Sequence, residues 1–380
     1  MPYFCEMMIP SIVWTICFGI FCLVITIQVF YYLYFFSRLA SYETVTSKTP
    51  SKNPISVIIC ARDEAHNLVK NLPGILVQDY ATPHEILVVN DNSTDETKYI
   101  IDEFKRSFDN LTLVDLTQEA KMISGKKFPL SMGIKSAKHD IVLLTDADCI
   151  PASEFWIQKM QEKFKGNIEI VLGYGAYRKR FGVLNLLIRF ETFHTALQYL
   201  SYALAGIPYM GVGRNLSYRK EVFIRNKGFS AINKIPSGDD DLFINKVANK
   251  RNTAICIDPD TFTISEHKKT WNDWMTQKYR HYTTGKYYKP IHKFLLGLYS
   301  LTLFLVYPMF LISLFFFNWW MSIGIYLVRL SIQAVIYLKA MRKLNEADLF
   351  PWFILLDIWM FIYYIITLPA IWKAPRKSWN

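Results

Sequence analysis

Asp146 and Asp148 stand one residue apart near the end of the apolar run LLTDADCI. Carboxylates avoid apolar surroundings unless their charge is compensated. In extended backbone, residues i and i+2 point to the same side, so the pair is expected to face one spot that calls for a cation. Hard oxygen donors of this kind suit Mg2+ or Mn2+. A second acidic group, Asp239, Asp240 and Asp241, follows a Pro-Ser-Gly turn. Their mutual repulsion raises the proton affinity of at least one, which can then take a proton from a hydroxyl near neutral pH. Lys126, after Gly125, offers phosphates a point charge. Gln277 and Arg280 lie three residues apart, which places both on one side of a helix.

Between residue 54 and about residue 172, the runs ISVIIC, EILVVN, LTLVD, DIVLLTD and IEIVLG alternate with amphipathic stretches and turn residues. That alternation predicts a parallel sheet covered by helices. Ligands bind such sheets beyond the carboxyl ends of the strands. Arg62 to Glu64, Asp91, Asp146 and Asp148 all fall at those ends. Ser93, three residues before Glu96, predicts a capping box that opens a helix. Further on, Val183, Leu187, Phe190, Phe193, Leu197, Leu200 and Leu204 repeat every three or four positions, one apolar helical face. With the basic YRKR before it, this helix fits a membrane interface or a sheet surface equally well.

The 380 residues are 52% hydrophobic and 16% aromatic, more apolar than a soluble chain of this length, and 43 Lys and Arg against 32 Asp and Glu give a net charge of +11. With no basic helix and no aromatic RNA-binding signature, that charge points to anionic lipid and anionic substrates and excludes nucleic acid. Six cysteines without a CxxC pair indicate neither a zinc site nor a disulfide framework. Residues 11–36 carry no charge and suit a transmembrane anchor, and three more apolar segments lie near 294–316, 319–338 and 350–371. Arg38, Lys48 and Lys52 follow the first span, Lys286, Lys289 and Lys293 precede the second, and Lys339, Arg342 and Lys343 follow the third. The positive-inside tendency therefore puts the N-terminus outside and the main body in the cytoplasm, at the plasma (inner) membrane. The tail cations Lys373, Arg376 and Lys377 then fall outside, against that tendency. Arg329 and Asp357 lie within spans and are expected to pair. The predicted layout is an anchor over 1–40, a cytoplasmic domain with interfacial helices over 41–290, and a membrane region of about three segments over 291–380.

In chain order, VIICARDEAHNL, VVNDNSTDET, GKKFPLSMGI, TDAD, GVGRNLSY, SGDDDLF and QKYRH resemble the successive motifs of glycosyltransferase family 2, across about residues 54–290. These are inverting, membrane-attached enzymes of GT-A fold. The resemblance implies an α/β GT-A domain with a mostly parallel sheet, plus transmembrane helices. It further implies transfer of a sugar from a nucleotide-diphospho-sugar, a UDP-sugar being favoured, to a lipid-linked or polysaccharide acceptor at the cytoplasmic membrane face. Under it, Asp148 is the metal ligand, with Asp146 reaching the ribose or the metal's water. Ala61, Arg62 and Glu64 shape the nucleoside pocket, Asp91 accepts from the base edge, and Lys126 meets the phosphates. Asp240, the second acid of its motif, is the general base. Gly213, Asn215, Asp239, Gln277, Arg280 and His281 line the acceptor and diphosphate side. Two positions depart from the family pattern: Asn90 stands where an acid often precedes Asp91, and His281 replaces the usual Trp. A competing reading, a catalytically inactive nucleotide-binding scaffold or transporter, draws on the intramembrane Arg329 and Asp357.

Overall fold

The computed structural model describes residues 2–44, 52–117, 123 and 125–371, with side chains between 12 and 369. Lys48 and the tail cations Lys373, Arg376 and Lys377 lie outside the described residues. The chain divides into two compact units, one of Met1–Tyr42 with Lys289–Pro369, the other built on Glu43–Tyr288.

The second unit is α/β. Its strands are β1 (Ile55–Ala61), β2 (His84–Asp91), β3 (Leu111–Leu116), β4 (Ile141–Asp146), β5 (Cys149–Pro151), β6 (Ile170–Leu172), β7 (Gly175–Tyr177), β8 (Leu216–Arg219), β9 (Thr253–Ile255) and β10 (Thr263–Ser265). Seven form a sheet ordered β3-β2-β1-β4-β8-β6-β9, and β5-β10-β7 form a smaller one. Neighbours from β3 to β4 are parallel, β8 runs antiparallel to β4 and β6, and β6 is parallel to β9. The near-continuous apolar runs of β1, β2 and β4 follow from burial on both faces. On one face Val57 and Ile59 pack with Leu68 and Leu72 of helix Ala65–Leu76 and with Trp156 of helix Trp156–Gln161. On the other, helix Lys127–Ser136 comes so near that a Cβ on Gly133 would stand 2.8 Å from Ile58 Cγ2 and 2.9 Å from Val89 Cγ2. Strand order reverses between β1 and β4, so their carboxyl ends open the crevice where sheets of this kind bind ligands.

Two local expectations are corrected. Asp146 ends β4 and Asp148 lies in the turn before β5, so the two acids do not share one strand. The helix after β2 starts at Thr97, whose N–H donates to Asp95 Oδ1 (2.9 Å), while Ser93 Oγ accepts from the Asp63 N–H (3.0 Å). Ser93 thus ties two loops together and does not cap the helix. Helix Val183–Leu204 is buried along most of its length, polar Asn185, Glu191 and His194 included, so it packs inside the unit and does not lie in a membrane interface.

Among the described residues of the first unit, four helices are long and apolar enough to cross a membrane: Ile12–Ala40, Pro290–Phe316, Trp319–Lys343 and Ala347–Thr367. The first contains the π-helical turn Tyr31–Phe36. Arg329 and Asp357 pair at 2.6 Å, as their positions predict.

Candidate active site

The loops leaving β1 and β2 are laced together. Asp63 takes a left-handed conformation (φ 53°), and its Oδ1 accepts from the N–H (2.7 Å) and hydroxyl (3.1 Å) of Thr94. The Glu64 N–H donates to Thr97 Oγ1 at 2.8 Å, and Asn67 Nδ2 donates to the Glu64 carboxylate at 2.5 Å. Burial and the nearby Asp148 and Asp146 push the Glu64 carboxyl up. Arg62 lines the same loop, half-buried, whereas the Ala61 side chain faces the core. Asp91 is buried at the end of β2, where its Oδ1 accepts from Asn92 Nδ2 (3.2 Å). Asn90 has a structural reason to be an amide: its Nδ2 donates to Asp115 Oδ1 (2.8 Å), beside which a carboxylate would be repelled.

Lys126 joins the two acidic motifs. Its Nζ lies 2.8 Å from Asp146 Oδ1 and 3.6 Å from Asp239 Oδ2. The preceding Gly125 has φ 69°, and a Cβ there would collide with the carbonyl oxygen of Pro236, in the turn that leads to Asp239. Burial works against the Lys126 charge, but Asp146, Asp239 and Asp240 outweigh it and hold the ammonium well above its usual range. Asp240 Oδ2 accepts from the Gly213 N–H (2.9 Å), and its Oδ1 accepts from the Asp241 N–H (2.7 Å), capping helix Asp241–Val247. Burial first, then the charges of Asp239 and Asp241, push the Asp240 carboxyl up to about 7, with Lys126 pulling the other way. Cys60, Lys126, Thr145, Asp146, Gly213 and Asp240 border a cavity of about 10 Å³, room for one water.

Asp146, Asp148 and Cys149 each offer a donor atom, all within 4.8 Å of one another. Against the cost of burial, Lys126 keeps Asp146 below the usual carboxylate range. Burial and the Asp146 charge push Asp148 up, only partly offset by Arg214 and Lys268. The Cys149 thiol, pushed well up by burial and by Asp148, stays protonated and donates to Asp148 Oδ1 (3.3 Å). The two carboxylates offer hard oxygen donors that fit a divalent ion such as Mg2+ or Mn2+, for which a sulfur is the softer, less favoured donor.

Helix Trp271–Tyr282 carries half-buried Gln277 and Arg280 and exposed His281. Gln277 Oε1 is buried without a hydrogen-bond partner among the described residues. Just beyond the helix, Thr284 Oγ1 (2.5 Å) and Tyr288 OH (2.7 Å) both donate to Asp241 Oδ2. Nothing in their sequence context signals that contact. Asn215 does not face the acids. Fully buried, its Nδ2 donates to the carbonyls of Tyr174 (2.8 Å) and Thr261 (2.7 Å), and its Oδ1 accepts from Trp156 Nε1 (3.1 Å). Its neighbour Arg214 reaches the Gly175 carbonyl (2.6 Å) and lies over the Tyr177 ring at 4.6 Å.

Residues 56–225 match Glycosyl transferase family 2. The chain is 29% identical over 300 residues to the probable glycosyltransferase YdaM of Bacillus subtilis (strain 168), a match that covers 73% of this chain and 66% of that protein. It is 30% identical over 149 residues to the poly-beta-1,6-N-acetyl-D-glucosamine synthase of Staphylococcus epidermidis, covering 39% of this chain and 34% of the synthase. The chain thus spans just under two thirds of the first relative and about a third of the second. Its fold resembles the Pyrobaculum calidifontis mannosyltransferase PcManGT, solved with GDP-Man and Mn2+, with a TM-score of 0.57 at 17% identity over 92% of this chain and 99% of that one. A mostly parallel sheet with acidic motifs at its carboxyl edge agrees with these likenesses: the fold is of GT-A type, and residues 56–225 match glycosyltransferase family 2.

Proposed function

We propose that the chain moves a sugar, with inversion, from a nucleotide-diphospho-sugar to a lipid-linked or polysaccharide acceptor at the cytoplasmic face of the plasma membrane. A UDP-sugar is the favoured donor. The observation that carries this reading is Asp240: a carboxyl pushed up to about 7 at a site bound through Lys126 to the Asp146 pair. In the nucleoside pocket, Asp91 accepts from the base edge, and the loop of Arg62 and Glu64 shapes the pocket around it. Lys126 sets positive charge beside the diphosphate, and Gln277 and Arg280 close over it. Asp240, oriented by the Gly213 and Asp241 N–H groups, takes the proton of the acceptor hydroxyl as that oxygen attacks the anomeric carbon. One in-line displacement inverts the centre and needs no second nucleophile.

Asp148 and Asp146 would hold Mg2+ or Mn2+, which when bound supplies positive charge against the departing diphosphate. In this reading residues 1–40 anchor the chain, 41–290 form the catalytic domain and 291–380 complete the membrane region. Four apolar helices in one copy leave little room for a polymer channel, which favours a lipid-attached acceptor.

The decisive experiment supplies purified protein and membrane lipids with labelled UDP- and GDP-sugars plus Mn2+ or Mg2+. Asp240→Asn is expected to lower transfer by about a hundredfold or more while donor binding persists. Undiminished transfer by Asp240→Asn would remove the base assignment.

A further inference from the structure

One surface of the second unit gathers cations around a single carboxylate. Glu266, directly after β10, pairs with Lys70 (3.0 Å), Arg178 (2.9 Å) and Arg180 (3.2 Å). Three segments meet there: helix Ala65–Leu76, the stretch that follows β7, and the stretch that follows β10. Lys179, Lys268 and Lys269 are exposed on the same segments. Lys70 together with residues 178–183 and 266–271 thus amounts to six cations and one acid.

The same segments carry bare apolar side chains. Phe181 is 108% exposed and Val183 72%, with Val69 and Trp271 also exposed. Scattered exposed hydrophobes are ordinary. Four of them among six cations are the composition of a surface that lies in lipid headgroups, where cations meet anionic lipid and apolar tips enter the acyl boundary. A soluble polyanion would satisfy the cations but leave the apolar tips in water. The chain's own apolar helices would also keep these residues near a bilayer, so contacts that are weak singly act at high effective concentration. Helix Val183–Leu204 is interior, so any membrane contact here falls to the loop ahead of it.

We propose that this patch docks on the anionic headgroup surface of the bilayer that holds the chain's apolar helices, with Phe181 and Trp271 entering the boundary between headgroups and acyl chains. The docking does not depend on which sugar or acceptor is used.

The test places photoreactive benzoylphenylalanine at position 181 of the full chain, or at position 99 as control, since Tyr99 is 64% exposed on helix Thr97–Lys105. Each protein is reconstituted in nanodiscs of phosphatidylcholine with or without phosphatidylglycerol, irradiated, and weighed for lipid adducts. Adduct yield at 181 is expected to exceed that at 99 about tenfold in anionic discs, and to fall about tenfold in neutral discs or with Lys179→Glu, Lys268→Glu and Lys269→Glu combined. If the triple variant fails to fold, the comparison of the two disc types on wild-type charges decides alone. Equal yields at the two positions, or a yield indifferent to charge, overturns the proposal. Protection of position 181 by soluble polyphosphate, without lipid adducts, assigns the patch to a polyanion and overturns it too.

Discussion

Asp240 and Asp241 are adjacent in sequence, yet their carboxylates meet different partners. Asp240 takes the N–H groups of Gly213 and Asp241, while Asp241 takes the Leu242 N–H on one oxygen and the hydroxyls of Thr284 and Tyr288 on the other. The charged groups acting on Asp240 are Asp239, Asp241 and Lys126, and the two acids raise its proton affinity. As pH rises through about 7 the basic form of Asp240 accumulates, so transfer should show its acid limb there. Asp241→Asn removes a like charge and should move that limb to lower pH by about one unit or less. Tyr288→Phe, by weakening the ionised state of Asp241, should move it the same way by less. A limb that stays in place in both variants, measured as kcat/KM against pH, means that Asp241 does not act on Asp240. At the other acid pair, Asp148→Asn should weaken Mn2+ binding about tenfold or more by calorimetry, activity aside. The sequence made Lys126, Asp146 and Asp240 conspicuous because a charge placed where a buried strand or a tight turn ends is costly unless it meets a counter-charge or a ligand. It could not separate Asn215 from them, because a polar residue in a glycine-containing turn reads alike whether it faces a ligand or, as here, bonds three buried groups. Thr284 and Tyr288 were invisible, since only tertiary packing brings them to Asp241.

At the level of elements, helix Val183–Leu204 shows where periodicity stops informing. Its apolar repeat implied one buried face, but polar side chains are buried as well because specific partners await them. Asn185 Nδ2 donates to the Arg178 carbonyl (3.0 Å), its Oδ1 accepts from the Arg180 N–H (3.0 Å), and Glu191 forms an ion pair with Lys278 of helix Trp271–Tyr282. That pair fastens the segment bearing Gln277 and Arg280 to the interior helix. Glu191→Gln leaves the half-buried Lys278 ammonium beside a neutral amide and should cost about 1–3 kcal/mol, whereas Glu191→Met with Lys278→Met should melt close to wild type. If the single and double variants melt alike, the pair contributes no specific stabilisation. The long strands β1 to β4 were legible because each is an apolar run between turn signals, and β1, β2 and β4 are buried almost throughout. Three-residue strands such as β5, β9 and β10 were not, since so short a stretch carries no period.

At the scale of the molecule, the four described helices long and apolar enough to cross a membrane were legible because a run of about 20 apolar residues leaves few alternatives to such a helix. Composition alone could not show how the polar residues inside them are satisfied. Arg329 donates to both Asp357 oxygens (2.6 and 3.4 Å), to Gln28 Oε1 (2.8 Å) and to Tyr32 OH (3.2 Å). Asp357 also accepts from Gln333 Nε2 (2.7 Å) and Tyr307 OH (2.7 Å). Four side chains thus close on one fully buried ion pair, and the six residues together come from all four of these apolar helices. In an apolar medium a lone charge is costly and a matched pair far less so, which makes the two residues interdependent. Arg329→Met should therefore lower the melting temperature in detergent and the yield of folded protein, at a cost of about 3–5 kcal/mol, because it leaves Asp357 without its cation. Adding Asp357→Leu should recover most of that loss, since no buried charge then remains. A double variant as unstable as the single would mean that the bundle needs the polar network itself, beyond charge balance. A single variant that melts like wild type would show that water or lipid headgroups reach Asp357.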